Sequence, residues 1–174
     1  MRSSLQTGRR LLFWIVKMNH SWKAIIFCAL FVAVSAEIVK FSNCKETTKC
    51  QVHQVRIDPC PESASNKPCT MLKGTNATIA FDYTPEFDAQ VATAKAFWTQ
   101  TAMDLPFAGM DSEGCKYTSC PLQSGTKQSY SYDLPIQKKY PTRVYDVKWI
   151  LENEAEEMCC FIIQISVKSK KGRS

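Results

Sequence analysis

Eight cysteines, Cys44, Cys50, Cys60, Cys69, Cys115, Cys120, Cys159 and Cys160, fall within the 138 residues that begin at Glu37. An even set at that density forces a choice between a disulfide framework and a metal site, and either one restricts the folds open to the chain. Zinc is the poorer fit. Cys115 and Cys120 have four residues between them, and His53 is the only histidine after residue 36, so no paired histidines complete a Cys/His ligand set. Disulfides are expected, and neither a metal nor a cofactor is. Spacing alone leaves the connectivity open, with one local restriction. Adjacent Cys159 and Cys160 point to opposite faces of a strand and are poor partners for each other, so at least one must bond far away.

Disulfides persist outside reducing compartments, and the N-terminus agrees. Lys23 precedes an apolar run, Ala24 to Val34 (AIIFCALFVAV), followed by Val34-Ser35-Ala36. A positive flank, a short apolar stretch and small residues at a cleavage point form a secretory signal. Eleven apolar residues are too few to cross a bilayer, which needs about 20. Residues 1–36 are therefore expected to be removed, Cys28 with them, leaving residues 37–174 as one exported domain; initiation at Met18 would give a leader of more ordinary length. The same cut changes the electrostatics. The chain carries a net +6, but Arg2, Arg9, Arg10, Lys17 and Lys23 precede the first acidic residue, Glu37. The 22 basic residues less these five leave 17 against 16 acidic ones, a net +1. With no basic stripe left, no nucleic-acid partner is expected. In an exported chain Asn76-Ala77-Thr78 is a glycosylation sequon, whereas Asn19-His20-Ser21 lies in the leader.

Past the leader the apolar pattern has period two. Ala77, Ile79, Phe81 and Tyr83 alternate with Asn76, Thr78, Ala80 and Asp82, which puts the sequon on an outer face. Arg143, Tyr145, Val147, Trp149 and Leu151 alternate with Val144, Asp146, Lys148 and Ile150. Phe161, Ile163, Ile165 and Val167 alternate with Cys160, Ile162, Gln164 and Ser166. Weaker strands are expected over residues 51–58, 93–101 and 128–133. The stretches 59–73, 84–89, 104–123 and 134–142, rich in Pro, Gly and Asp, separate them, and only 85–91 suits a short helical turn. Such spacing predicts an all-β antiparallel sandwich or barrel, followed by a solvated basic tail, 168–173.

Catalysis finds little support. Any triad would have to use His53, which sits in a strand-like run, and no G-x-S-x-G elbow, P-loop or G-x-G-x-x-G occurs. Glu152, Glu154, Glu156 and Glu157 cluster in a polar stretch between two strands, where a hairpin loop is the expectation. The protein is not expected to be an enzyme. What remains is an aromatic-rich interior.

Several segments resemble the lipid-recognition family that includes secreted sterol carriers. The likeness spans residues 40–168 and is carried by Phe41-Ser42-Asn43-Cys44, Asp58-Pro59-Cys60 with Pro68-Cys69 and Leu72-Lys73-Gly74, and Leu105-Pro106-Phe107. It continues in Glu113-Gly114-Cys115 with Cys120-Pro121-Leu122, the run from Tyr130 to Ile136 (YSYDLPI), Tyr140-Pro141, Val147-Lys148-Trp149 and Cys160. The order and spacing of these pieces, with six matching cysteines, make the match specific. The resemblance implies an immunoglobulin-like sandwich of two antiparallel sheets with a lipid cavity between them. It also implies the pairs Cys44–Cys160, Cys60–Cys69 and Cys115–Cys120, leaving Cys50 and Cys159 for a fourth bond. Its ligand-contacting positions fall on Phe107, Ile136 and Tyr140, with Ile79, Leu105, Val147, Trp149 and Phe161 as cavity walls.

Function follows as expectation: a secreted or lysosomal monomer that carries a sterol or similar hydrophobic lipid, with transient membrane or receptor contact. The alternatives within the resemblance are a carrier of fatty acids or semiochemicals and an immune protein that recognises bacterial lipids. Outside it stands a structural or adhesive sandwich with a filled core. Three departures from the family pattern bear on the ligand. The Cys60–Cys69 loop is long, Asp146 interrupts an apolar strand, and Trp98 replaces a small residue, which narrows or reshapes the cavity.

Overall fold

The computed structural model describes residues 36–46, 48–100, 103–107 and 109–170. Residues 1–35 of the expected leader and the end of the basic tail lie outside them. In chain order the strands are β1 (Glu37–Val39), β2 (Ser42–Asn43), β3 (Cys50–Asp58), β4 (Cys69–Leu72), β5 (Thr75–Pro85), β6 (Thr93–Trp98), β7 (Leu105–Pro106), β8 (Gln128–Ile136), β9 (Val144–Glu152) and β10 (Met158–Lys168). One sheet has the order β1-β3-β5-β8; the other runs β2-β10-β9-β6-β7, with β4 also joined to β10. The two sheets make the all-β sandwich that the alternating runs predict. Among the described residues, no helix is long and apolar enough to cross a membrane.

Period two decides which side chains meet. Ala77, Ile79, Phe81 and Tyr83 of β5 are buried against Tyr145, Val147, Trp149 and Leu151 of β9 and Phe161, Ile163, Ile165 and Val167 of β10 in one apolar cluster. Full burial of an aromatic or branched side chain contributes about 1.5–3 kcal/mol, so these three strands supply much of the stabilising surface. Between β9 and β10, Glu154, Glu156 and Glu157 lie in a tight hairpin, as expected, whereas Glu152 ends β9 and is buried. Asn153 Oδ1 accepts hydrogen bonds from the backbone N–H groups of Ala155 and Glu157, both at 2.9 Å. Glu157 and Glu152 form ion pairs with Lys49 and Lys95.

The expected antiparallel sandwich holds, with one addition and two local corrections. The addition is β4, which pairs with β10 in parallel. It lies inside the 59–73 stretch read as a separator, where the chain leaves β3, turns within the Cys60–Cys69 loop and crosses to the opposite sheet before returning in β5. The turn at 85–91 is not helical. Ala89 and Leu122 exchange backbone hydrogen bonds of 3.1 and 2.8 Å, and Gly125 N–H donates to the Pro85 carbonyl, so tertiary partners take the groups a helix would have used. Finally β8 runs on through Pro135 to Ile136, which its edge position tolerates because proline lacks only a donor.

Four disulfides close the chain: Cys44–Cys160, Cys50–Cys159, Cys60–Cys69 and Cys115–Cys120. Cys159 shares the inward face of β10 with Phe161 and reaches Cys50 on β3, so this bond ties one sheet to the other. Cys160, on the opposite face, holds the segment that follows β2. The alternation of a strand thus sends neighbouring sulfurs to different partners.

On the outer face of the first sheet, Arg56 grips Asp82 with two hydrogen bonds of 2.8 and 3.1 Å, and Ser129 Oγ donates a third at 2.7 Å. The guanidinium bonds, foremost, hold the Asp82 carboxyl down at about 2. The two side chains are 23% and 16% exposed, so solvent screens the pair only in part. A depressed carboxylate stabilises the fold above its unfolded pKa and loses that contribution as pH falls through the folded value. Asp82→Asn is therefore expected to cost about 1–2 kcal/mol at pH 7 and to flatten the loss of stability between about pH 4 and 2. Urea unfolding across that range measures it, and an unchanged acid limb refutes it.

Candidate functional site

One end of the sandwich is closed by aromatic rings from both sheets. β6 ends at Trp98, and β7 pairs back on it with Leu105 opposite Trp98. Phe107 N–H then donates to the Ala96 carbonyl at 2.8 Å, and its ring is buried. From the other sheet, β8 finishes at Ile136 and a turn closed by the Tyr140 N–H to Gln137 carbonyl bond returns Tyr140 to the interior. The ring centroids of Trp98, Phe107 and Tyr140 lie 5.0 to 5.1 Å from one another, edge to face. Tyr145 of β9 adds a fourth ring 4.8 Å from Trp98, its hydroxyl donating to the Pro141 carbonyl. Such edge-to-face pairs contribute about 0.5–1.5 kcal/mol each beyond burial. Trp98, read from the sequence as a departure that narrows the cavity, is the centre of this cluster.

Behind the rings lies an apolar, aromatic layer. Ile79, Val147, Trp149 and Phe161 are buried there with Ile136. Phe81 stacks on Tyr130 and meets Phe161 edge-on, both at 4.9 Å, and Trp149 lies 5.9 Å from Tyr130 and Tyr132. Leu105 departs from this set and is corrected: it does not line the interior. Its strand is two residues long and stands at the sheet edge, so little packs over the side chain and it remains 37% exposed. Phe81, Tyr130, Tyr132 and Tyr145 escaped the sequence reading as interior site residues. The alternation of Tyr130, Tyr132, Leu134 and Ile136 along β8 is the signal that points to two of them.

The interior is nearly free of formal charge. Glu152, paired with Lys95, is the only charged side chain among the buried described residues. Burial pushes the Tyr83 hydroxyl up to about 12, partly offset by its bond to Thr118, and drives Tyr130 and Tyr140 upward as well. These phenols stay neutral and offer hydrogen bonds without charge. His53, in contrast, is exposed at a bulge of β3, with Nε2 2.8 Å from Thr84 Oγ1. The one metal-like grouping among the described residues, Cys44, Glu46 and Cys160, has both sulfurs in a disulfide, so no thiolate is available to a metal.

A concavity of different chemistry lies elsewhere on the sandwich. A groove of about 700 Å3 runs over the outer face of the six-stranded sheet, a volume within the usual range of ligand clefts. Its lining includes Phe41, Lys45, Asp146 and Gln164. Lys148, also in the lining, is ion-paired with Glu46 and Asp104, and the groove is polar and carries charges of both signs.

Comparison with known proteins agrees with this geometry. Residues 38–167 match the ML domain. An MD-2-related lipid-recognition protein of Manduca sexta is 37% identical over 151 residues, covering 83% of this chain and 93% of that protein. The bovine NPC intracellular cholesterol transporter 2 is 27% identical over 148 residues, 84% of this chain and 96% of that protein. Among solved structures, a Niemann-Pick type C2 protein from the Japanese carpenter ant shares the fold with a TM-score of 0.65 at 22% identity, over 74% of this chain and 99% of that one. With the family match spanning nearly all the described sandwich, the chain belongs to the ML domain family.

Proposed function

We propose that this protein is an exported, non-catalytic lipid carrier that holds a sterol or a similar hydrophobic molecule between its two sheets. The observation that carries the reading is the ring cluster of Trp98, Phe107 and Tyr140, contributed by loops and strand ends of both sheets at the end of an almost uncharged interior. A closure made of side chains from two sheets opens when the sheets part slightly, which a mouth requires and a core does not. Ile136 and Tyr140 border the mouth on one side and Phe107 on the other; Ile79, Val147, Trp149 and Phe161 are the walls. The similarity to an MD-2-related lipid-recognition protein and to an intracellular cholesterol transporter supports the ligand class.

Capture needs no bond-making. Removal of apolar surface from water drives it, and a ligand of roughly 28 heavy atoms at about 0.3 kcal/mol each gains about 8 kcal/mol, near micromolar. That strength lets a monomeric carrier release its cargo at a membrane or receptor. Removal of residues 1–36 and a glycan on Asn76, which is exposed on β5, complete the exported form, and the disulfides fit an oxidising compartment.

Native mass spectrometry of the protein secreted from its own cells tests all of this together. The expected species starts near residue 37, loses mass on N-glycosidase treatment, and carries a lipid of several hundred daltons that organic extraction releases. A homogeneous protein carrying nothing, and taking up nothing from cholesterol-loaded vesicles, returns the adhesive sandwich with a filled core. A fatty acid or a bacterial lipid in place of a sterol selects the other carriers of the family.

A further inference from the structure

Asp146 and the long Cys60–Cys69 loop, two departures that the lipid site leaves unexplained, meet in the groove on the outer face of the six-stranded sheet. Asp146 and Gln164, register partners on β9 and β10, form its floor. The loop supplies one wall through Ser63, Asn66 and Lys67, and the crossing from β1 to β2 supplies another through Phe41.

Bonds within the protein fix these walls. Ser63 Oγ donates to Glu37 and Thr70 N–H donates to Glu62, both at 3.2 Å, while Asn66 N–H donates to the Ser63 carbonyl at 2.8 Å. On the floor, Gln164 Nε2 donates to Asp146 Oδ1 at 2.8 Å, and Thr99 N–H donates to the Asp146 carbonyl at 2.9 Å. The Lys148 side chain, only 12% exposed, is held between Glu46 and Asp104. A cleft whose polar groups are already oriented loses little freedom when a ligand enters.

We propose that this groove binds a neutral oligosaccharide. A sugar hydroxyl both donates and accepts hydrogen bonds, so it is matched by a surface that offers donors and acceptors together. The Asp146 carboxylate accepts, and the side-chain amides of Gln164, Asn66 and Gln100, all in the lining, do both. The C–H face of a pyranose ring is apolar, and the partly buried Phe41 ring, packed edge-on to Phe161 at 6.0 Å, gives it a surface to cover. A wholly apolar ligand would leave the polar lining without partners. A polyanion would find Lys40, Lys45 and Lys67 exposed but would meet the exposed Asp146 carboxylate at the floor. The inference does not depend on the lipid reading, because strand alternation turns Asp146 and Gln164 away from the interior.

The test uses the intact, disulfide-bonded protein and saturation-transfer NMR with titration. The probes are laminarihexaose, maltohexaose, chitohexaose and mannohexaose, with a heparin hexasaccharide as the polyanion. At least one neutral hexasaccharide is expected to bind with a Kd below about 1 mM and more tightly than the heparin fragment. Asp146→Ala is expected to weaken that binding about tenfold or more, the scale of a hydrogen bond to a charged group. Asn66→Ala should weaken it about threefold or more. Both side chains are exposed or half-exposed at the surface, so an unchanged Tm shows that the fold is intact, and cholesterol uptake should be unchanged as well. Lys45→Ala/Lys67→Ala should leave neutral binding within about twofold, since exposed charges contribute little. Absence of saturable binding by all four neutral probes overturns the inference, as does tighter binding of the heparin fragment. Full-strength binding in both Asp146→Ala and Asn66→Ala also overturns it, because the sugar would then lie elsewhere. Loss of cholesterol uptake by the wild-type protein would overturn the lipid reading alone.

Discussion

Phe107→Ala is expected to weaken cholesterol binding about 30-fold or more, and Phe107→Ala with Tyr140→Ala to abolish it at micromolar protein. The magnitude follows from the area an aromatic ring contributes. Loss of a fully buried Phe contact is about 2–3 kcal/mol, and each 1.4 kcal/mol is about tenfold in affinity. Both rings also pack on Trp98, at 5.0 and 5.1 Å, so the variants lose some stability, and thermal unfolding must accompany every titration. Tyr140→Phe separates the two roles of that residue. It keeps the ring and removes the hydroxyl, so near-normal binding assigns Tyr140 to shape and a tenfold loss assigns it to polar recognition. Trp98→Ala, by contrast, removes the centre of the closure. Stopped-flow exchange of a bound sterol should then speed up in both directions while equilibrium affinity changes less. If Phe107→Ala and Tyr140→Ala bind cholesterol as well as the parent protein does, the mouth has been assigned to the wrong residues.

The second large effect concerns the two bonds on β10. Cys44–Cys160 and Cys50–Cys159 span 116 and 109 residues, and loop entropy alone assigns a ring of about 100 residues roughly 4.7 kcal/mol. They are not independent. With either bond closed, the other closes only a ring of about nine residues, worth about 2–3 kcal/mol. Cys50→Ala/Cys159→Ala, or Cys44→Ala/Cys160→Ala, should each cost about that smaller amount. Removal of both pairs should cost about 7 kcal/mol, more than the two single deletions combined and comparable with the whole stability of many domains. Equilibrium urea unfolding of the three variants measures the cycle. Simple additivity would mean that the bonds act through native packing rather than through the unfolded chain. The Cys50–Cys159 deletion has a functional readout as well, because that bond crosses between sheets and resists their separation; lipid exchange should become faster without it.

Much of this architecture is legible in the amino-acid order, for a reason that particular strands make clear. In β5, β9 and β10 a strand period of two puts every second residue on one face, and burial of one face makes the alternation unmistakable. The same logic separates Cys159 from Cys160. Short elements leave no such trace. β1, β2 and β7 have three, two and two residues, too few to display a period, and β4 is hidden inside a stretch that reads as a loop. Leu105 illustrates the cost. Its apolar character suits a cavity wall, yet the position of its strand at the sheet edge leaves it exposed, and edge position is a property of the assembled sheet. Ile79, Val147, Trp149 and Phe161 raise a related point, since the same side chains would serve a wall or a core.

The chain's own order of residues settled the sandwich, the inward registers, the polar hairpin at Asn153–Glu157 and the family, because each depends on local periodicity or on motifs carried in sequence. Tertiary structure alone decided that Trp98 joins Phe107 and Tyr140 in one cluster, and that the Cys60–Cys69 loop and Asp146 line one groove. Both facts concern groups far apart in the chain, brought together only when the strands assemble and the sheets pack. No pattern along the chain encodes that packing.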